Sequence, residues 1–156
     1  MKKEAVIGYD QFADWKELND SDQSLIESAR EVMKNAYAPY SKFSVGAAAL
    51  LSNGSVIKGS NQENIAYPSG LCAERVALFY AGANFPNEAV ETLAIVAEGN
   101  LVPIETILSP CGSCRQVMVE TELRQKKGYR VILVSQNHQV VVFKSAADLL
   151  PLAFGI

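Results

Sequence analysis

Three thiols, one carboxylate and one guanidinium are the residues in this chain whose types and spacing suit chemistry. Residues 68–77 read P-S-G-L-C-A-E-R-V-A and set Cys72, Glu74 and Arg75 within four positions. Residues 110–115 read P-C-G-S-C-R and add Cys111 and Cys114. The chain has 3 cysteines, and these two stretches hold all of them. Two cysteines separated by two residues can reach one metal ion from a tight turn or a first helical turn, and Cys72 is the thiol that remains to join them. Zinc takes four ligands, yet the single histidine, His138, falls in an expected turn far along the chain from either stretch. The spacing therefore points to three protein ligands with the fourth place left to water, the pattern of a catalytic centre. Glu74, two residues from a ligand, is placed to sit beside that water and move its proton. Two other readings stand beside this one. A small structural zinc module lacks an evident fourth ligand, and a thioredoxin-like redox pair at Cys111 and Cys114 leaves Cys72 without a role.

The elements that must position these groups follow from hydrophobic periodicity. Asn19, Asp20 and Ser21 offer a helix cap, and Leu25, Ala29, Val32, Met33 and Ala36 follow at helical spacing, so a packing helix is expected over about 21–36, closed by Pro39. Residues 43–51 and 56–60 read as strands joined by a hairpin turn at S-N-G-S. A helix is expected over about 71–81. It is apolar almost all round, which suits a protein interior or a subunit interface. Glu74 and Arg75 are charges on that helix, costly to bury unless partnered. Adjacent residues on a helix do not face each other, so each needs a partner of its own: the water for Glu74, the thiolates for Arg75. A strand over 91–97, a helix over about 111–122, strands over 129–135 and 140–143, and a short helix over 145–150 complete the order. Thiols at the start of the 111–122 helix meet its partial positive charge, which favours thiolate.

The pair C-A-E-R and P-C-G-S-C-R resembles the zinc-dependent cytidine deaminases of the small homo-oligomeric type. Further stretches resemble the same family in the same order: Y-S-K-F-S-V-G-A-A over 40–48, N-Q-E-N over 61–64 and L-L-P-L-A-F-G over 149–155. The resemblance runs from about residue 36 onward. It implies an α/β fold, a three-layer α/β/α sandwich around a mixed five-stranded sheet. It implies one Zn²⁺ per subunit on Cys72, Cys111 and Cys114, with Glu74 as the catalytic acid–base and Arg75 donating to the thiolates. It implies that Phe43 lines a nucleoside pocket, that Asn61 and Glu63 hold the ribose 3′-hydroxyl, that the backbone near Ala73 and Ser109 binds the base edge, and that Phe154 enters from a neighbouring subunit. Spacing alone would make Phe43 a core residue and Asn61-x-Glu63 a surface loop. The activity implied is hydrolytic deamination of cytidine and deoxycytidine with release of ammonia, in pyrimidine salvage, by a homotetramer or a homodimer. A modified cytosine nucleoside such as a blasticidin-type antibiotic is the alternative substrate; the ribose-type N-x-E favours ordinary nucleosides. Ser44 and Gln62 depart from the residues common at those positions, and neither touches the chemistry.

Residues 1–18 lie outside the resemblance and are expected to be an extension, with a short strand near Val6-Ile7 and a helical turn through Phe12, Trp15 and Leu18. Residues 19–156 are expected to form a single catalytic domain. At 156 residues, 49% hydrophobic and 20% charged, the chain is long enough for one sizeable core. Its formal charge of −3 argues against a nucleic-acid partner, and the basic residues Arg124, Lys126, Lys127 and Arg130 read as a solvated helix end. No apolar run follows the opening M-K-K or approaches a membrane span, so a cytoplasmic protein is expected.

Overall fold

Alternation along four strands decides the architecture. In the computed structural model, which describes residues 1–155, strands β2 (Phe43–Leu51), β4 (Val90–Gly99), β5 (Arg130–Val134) and β6 (Val140–Phe143) each send successive side chains to opposite faces. Ala47, Ala49, Leu93, Ile95, Val131, Leu133, Val141 and Phe143 pack on one side, beneath helices α2 (Ala73–Asn84) and α3 (Gly112–Gln125). Ala48, Ala94, Val96, Ile132, Val134, Val140 and Val142 pack on the other, beneath helix α1 (Asp20–Met33). Both faces of the sheet are covered, giving the expected three layers.

The sheet has six strands in the order β1-β6-β5-β4-β2-β3, where β1 is Asp10–Phe12 and β3 is Val56–Ser60. The β4–β5 pair is parallel and the others are antiparallel. The expectation of five strands is corrected here: β1 comes from the N-terminal extension and pairs with the edge of β6, Gln11 opposite Val141. The strand lies downstream of Val6-Ile7, which stay exposed. After it come a 3-10 turn at Trp15–Glu17, capped by Asp14, and an Arg30 guanidinium stacked 5.3 Å from the Trp15 ring centre.

The remaining elements shift only at their ends. Asn19 caps α1 by accepting from the Asp22 amide, and the helix closes at Met33, three residues short of the expected end. Helix α3 continues to Gln125 and stops at Lys126, whose φ of 54° is left-handed. His138 is a turn residue, as expected, with φ of 74°.

One close approach matters for the site. A Cβ at Gly59 would stand 2.6 Å from the Ala73 carbonyl oxygen and 2.7 Å from the Ala77 amide nitrogen. The bare backbone of β3 thus lets the first turn of α2, which carries Cys72 and Glu74, lie directly on the sheet.

Candidate active site

Two helix N-termini meet on the α2/α3 face of the sheet. Cys72 is the N-cap of α2 and Cys111 the N-cap of α3, and neither side chain makes a capping hydrogen bond. Their sulfurs are left free to face each other. Cys114 follows in the first turn of α3 and is fully buried. The three Sγ atoms lie within 4.8 Å of one another, with Cys111 and Cys114 3.5 Å apart. Sulfurs sharing a tetrahedral zinc at about 2.3 Å stand roughly 3.8 Å apart, so the triad closes on such an ion with small side-chain adjustments.

Charge is shared unevenly within the thiol cluster. Cys72 is drawn down to about 5, first by its hydrogen bond with Cys114 and then by Arg75. Cys114 is pushed up by the same contact with Cys72 and by burial. Arg75 donates from Nη2 to the Cys72 sulfur at 3.6 Å. Glu74 is 5% exposed, and that burial pushes its carboxyl up to about 7. A carboxyl poised near neutrality both accepts and returns a proton.

Cys72 and Cys111 border a cavity of about 430 Å³, a size suited to a small organic ligand. Glu74, Cys72 and Cys111 form part of its wall, together with Phe43, Asn61 and Glu63. The sequence-predicted pocket residues on β2 and after β3 are thereby brought to the thiol cluster. Asn61 is buried and fixed: its Oδ1 accepts from the Val45 amide at 2.8 Å and its Nδ2 donates to the Phe43 carbonyl at 2.9 Å. One amide hydrogen and one lone pair remain for a ligand. Glu63 accepts from the Tyr40 and Ser41 amides at 2.9 and 3.2 Å and from the Ser41 hydroxyl. Burial would raise its pKa, but the Ser41 hydroxyl and these amides outweigh it and hold the carboxyl below the ordinary range. It is a charged acceptor aimed by the loop before β2.

Cys114 and Arg75 are not among the lining residues, and two of the predicted substrate-contacting residues also stand apart from this wall. Ala73 is fully buried behind Cys72 and Glu74, and its side chain does not line the cavity. Phe154 is 90% exposed and does not reach the cavity of its own chain. Other wall residues went unread from sequence. Ser41, Val45 and Ile95 line the cavity, as do Leu101, Val102, Thr106, Ile107 and Leu108 of the loop leading into α3. Apolar residues at 101, 102, 104, 107 and 108 in a stretch without regular structure were the available signal.

Residues 19–128 match the family model for the cytidine and deoxycytidylate deaminase zinc-binding region. The chain belongs to this deaminase family. The three clustered thiols fit the zinc that the family model describes. A cytidine deaminase from Halalkalibacterium halodurans is 41% identical over 132 residues, covering 85% of this chain and 92% of the relative. One from Mycobacterium tuberculosis is 35% identical over 129 residues, covering 83% and 86%. Among solved structures, the cytidine deaminase of Burkholderia pseudomallei superposes with a TM-score of 0.72 at 41% identity, covering 85% of this chain and 98% of that one. The fold and the enzyme class of the deaminases therefore apply along nearly the whole catalytic region. No helix of the described residues is long and apolar enough to cross a membrane.

Proposed function

We infer that the protein hydrolyses cytidine and deoxycytidine to uridine and deoxyuridine, releasing ammonia, in pyrimidine salvage. The observation that carries this is the placement of Glu74, a buried carboxyl in the wall of a mostly apolar cavity that it shares with Cys72 and Cys111, two members of the thiol triad. Cys72, Cys111 and Cys114 would hold the zinc. When bound, the metal supplies a Lewis acid that makes water a nucleophile near neutral pH.

The chain's own groups do the rest. The Glu74 carboxylate takes the first proton of the attacking water and hands it to N3 of the pyrimidine, while the oxygen adds to C4. Glu74 then carries the second proton of that oxygen to the amino nitrogen. The C4–N bond breaks, ammonia leaves, and C4 keeps the oxygen as a carbonyl. Arg75 withdraws charge from the sulfurs by donating to Cys72, which offsets the anionic character of a three-thiolate site. Asn61 and Glu63 line the same cavity as Ser109, and their remaining amide hydrogen and carboxylate suit a sugar hydroxyl. The backbone near Ala73 and Ser109 is assigned to the base edge. A site built around a hydroxyl rejects analogues that lack it, so the free base cytosine is expected to be a poor substrate.

The assembly is assigned as a homotetramer. Phe79 and Tyr80, neighbours on α2, together with Tyr67, Leu152 and Phe154, are large side chains left exposed on the single chain, and a subunit contact would cover them. Phe154 is assigned to the pocket of a neighbouring copy, packing on the base. Residues 19–156 form the catalytic domain, and the three free thiols suit the reducing cytoplasm. The test is zinc content together with ammonia release from cytidine, deoxycytidine and cytosine by the purified protein. One zinc per chain with turnover of both nucleosides supports the reading. Zinc without turnover would move the chain to the structural class.

A further inference from the structure

Arg115 closes the P-C-G-S-C-R stretch, yet nothing in the chemistry above uses it. It is half-buried on the first turns of α3, and its guanidinium is committed in three directions. Nε donates to the Pro110 carbonyl at 2.8 Å, Nη2 to the Ser109 hydroxyl at 2.6 Å and Nη1 to the Leu149 carbonyl at 3.0 Å. Ser109 and Pro110 belong to the cavity wall, and Leu149 is the last residue of the final 3-10 turn, Ala146–Leu149. The next residue on α3, Gln116, holds the same C-terminal segment further along. Its Nε2 donates to the Phe154 carbonyl at 2.5 Å, and its Oε1 accepts from the Phe154 amide at 3.1 Å. Two adjacent side chains therefore grip the tail at both ends of the stretch from Leu149 to Phe154.

We propose that Arg115 and Gln116 form a clasp that sets the reach of the C-terminal tail relative to the cavity wall, and so act as positioning residues for Phe154. This deepens the functional reading above and rests on it. The physical case is the number of bonds and their direction. A planar guanidinium with donors fixed in a fork can tie two carbonyls and a hydroxyl from separate segments, which a lysine cannot. The paired amide bonds of Gln116 fix the Phe154 backbone as a strand partner would, while the ring stays exposed. Without these bonds a terminal segment of small and apolar residues has little to order it. An aromatic side chain that must enter a second copy would then incur its ordering cost on every binding event.

The experiment uses the full-length, zinc-loaded assembly and three substitutions: Gln116→Ala, Gln116→Glu and Arg115→Lys. The first readout is amide hydrogen exchange of the tail. Gln116→Ala is expected to speed exchange of the Phe154 amide at least as much as loss of one hydrogen bond, roughly threefold to tenfold. Gln116→Glu keeps the acceptor for that amide and is expected to retain most of the protection. The second readout is steady-state kinetics with cytidine. KM is expected to rise by a similar roughly threefold to tenfold factor, with kcat and zinc content held. The third is a background with Phe154→Ala, in which Gln116→Ala is expected to add nothing further to KM. Parental exchange and KM in Gln116→Ala and Arg115→Lys would overturn the clasp, as would a KM effect of equal size in the Phe154→Ala background. Failure of the functional reading has a different signature: the parent chain itself releases no ammonia from cytidine, while tail exchange still reports on the clasp.

Discussion

Arg75 reaches back across one turn of α2 to place Nη2 3.6 Å from the Cys72 sulfur. The contact joins a permanent cation to the thiol that comes from a different helix than the other two. Its Nε is buried without a partner among the described residues, so the side chain is not held there by a network of its own.

Arg75→Ala is therefore expected to leave the fold intact and weaken the metal site. Loss of such a supporting donor typically costs about 10–100-fold in metal affinity or activity. Zinc titration against a competing chelator, with thermal unfolding as control, measures it. Unchanged affinity and kinetics would remove Arg75 from the mechanism.

Glu74→Gln is expected to abolish turnover and keep zinc, since the amide can hydrogen-bond but cannot carry the proton. It also has a stability signature in chelator-treated protein. Burial raises the folded-state pKa of Glu74 from 4.5 to about 7, so the folded chain binds that proton more tightly than the unfolded one. The stabilisation is complete below the unfolded value and is lost as pH rises through 7, on the order of 3 kcal/mol. Glu74→Gln has no such loss. Urea unfolding of the metal-free proteins at pH 5 and pH 8 should show the variant gaining on the parent at the higher pH; equal differences at both would contradict the burial argument.

Asn61→Ala removes both side-chain bonds to β2 and leaves the Val45 amide and Phe43 carbonyl without these partners. A cost of about 1–3 kcal/mol is expected, together with weaker binding of nucleosides relative to the free base. Denaturant unfolding and substrate comparison separate the two effects. A variant with parental stability would mean that water replaces the amide fully.

Deleting residues 154–156 is expected to raise KM or break the assembly, because Phe154 is exposed on its own chain and does not line that chain's candidate active-site cavity. Light scattering and kinetics on the same sample decide it. A deletion variant with the parental mass and KM would place the ring outside the reaction.

How far the residues themselves foretold this arrangement differs from element to element. The thiol triad and Glu74 were readable because a metal centre and an acid need those side chains and few others. Strands β2, β4, β5 and β6 were readable because both faces of the sheet are covered and apolar residues run through them. Strand β1 was not: Asp10-Gln11-Phe12 has no apolar run, and its conformation is imposed by the free backbone edge of β6. Nor was the grip of Ser41 and Tyr40 on Glu63, which joins residues twenty-two and twenty-three positions apart. The apolar residues of α2 suggested a protein interior or a subunit interface without deciding between them, and Phe79 and Tyr80 are about half exposed on the single chain. A sequence records that such residues want cover but not what supplies it.

The rims of the sheet constrain how copies can meet. On one side the outermost strand is only three residues long, and on the other the β3 rim carries Lys58, paired with Glu31 at 2.8 Å. A short rim and a charged rim are both poor templates for recruiting another chain by backbone pairing. Growth by sheet extension is disfavoured at each border, so the proposed homotetramer would have to draw its contacts from the helical faces and the tail instead.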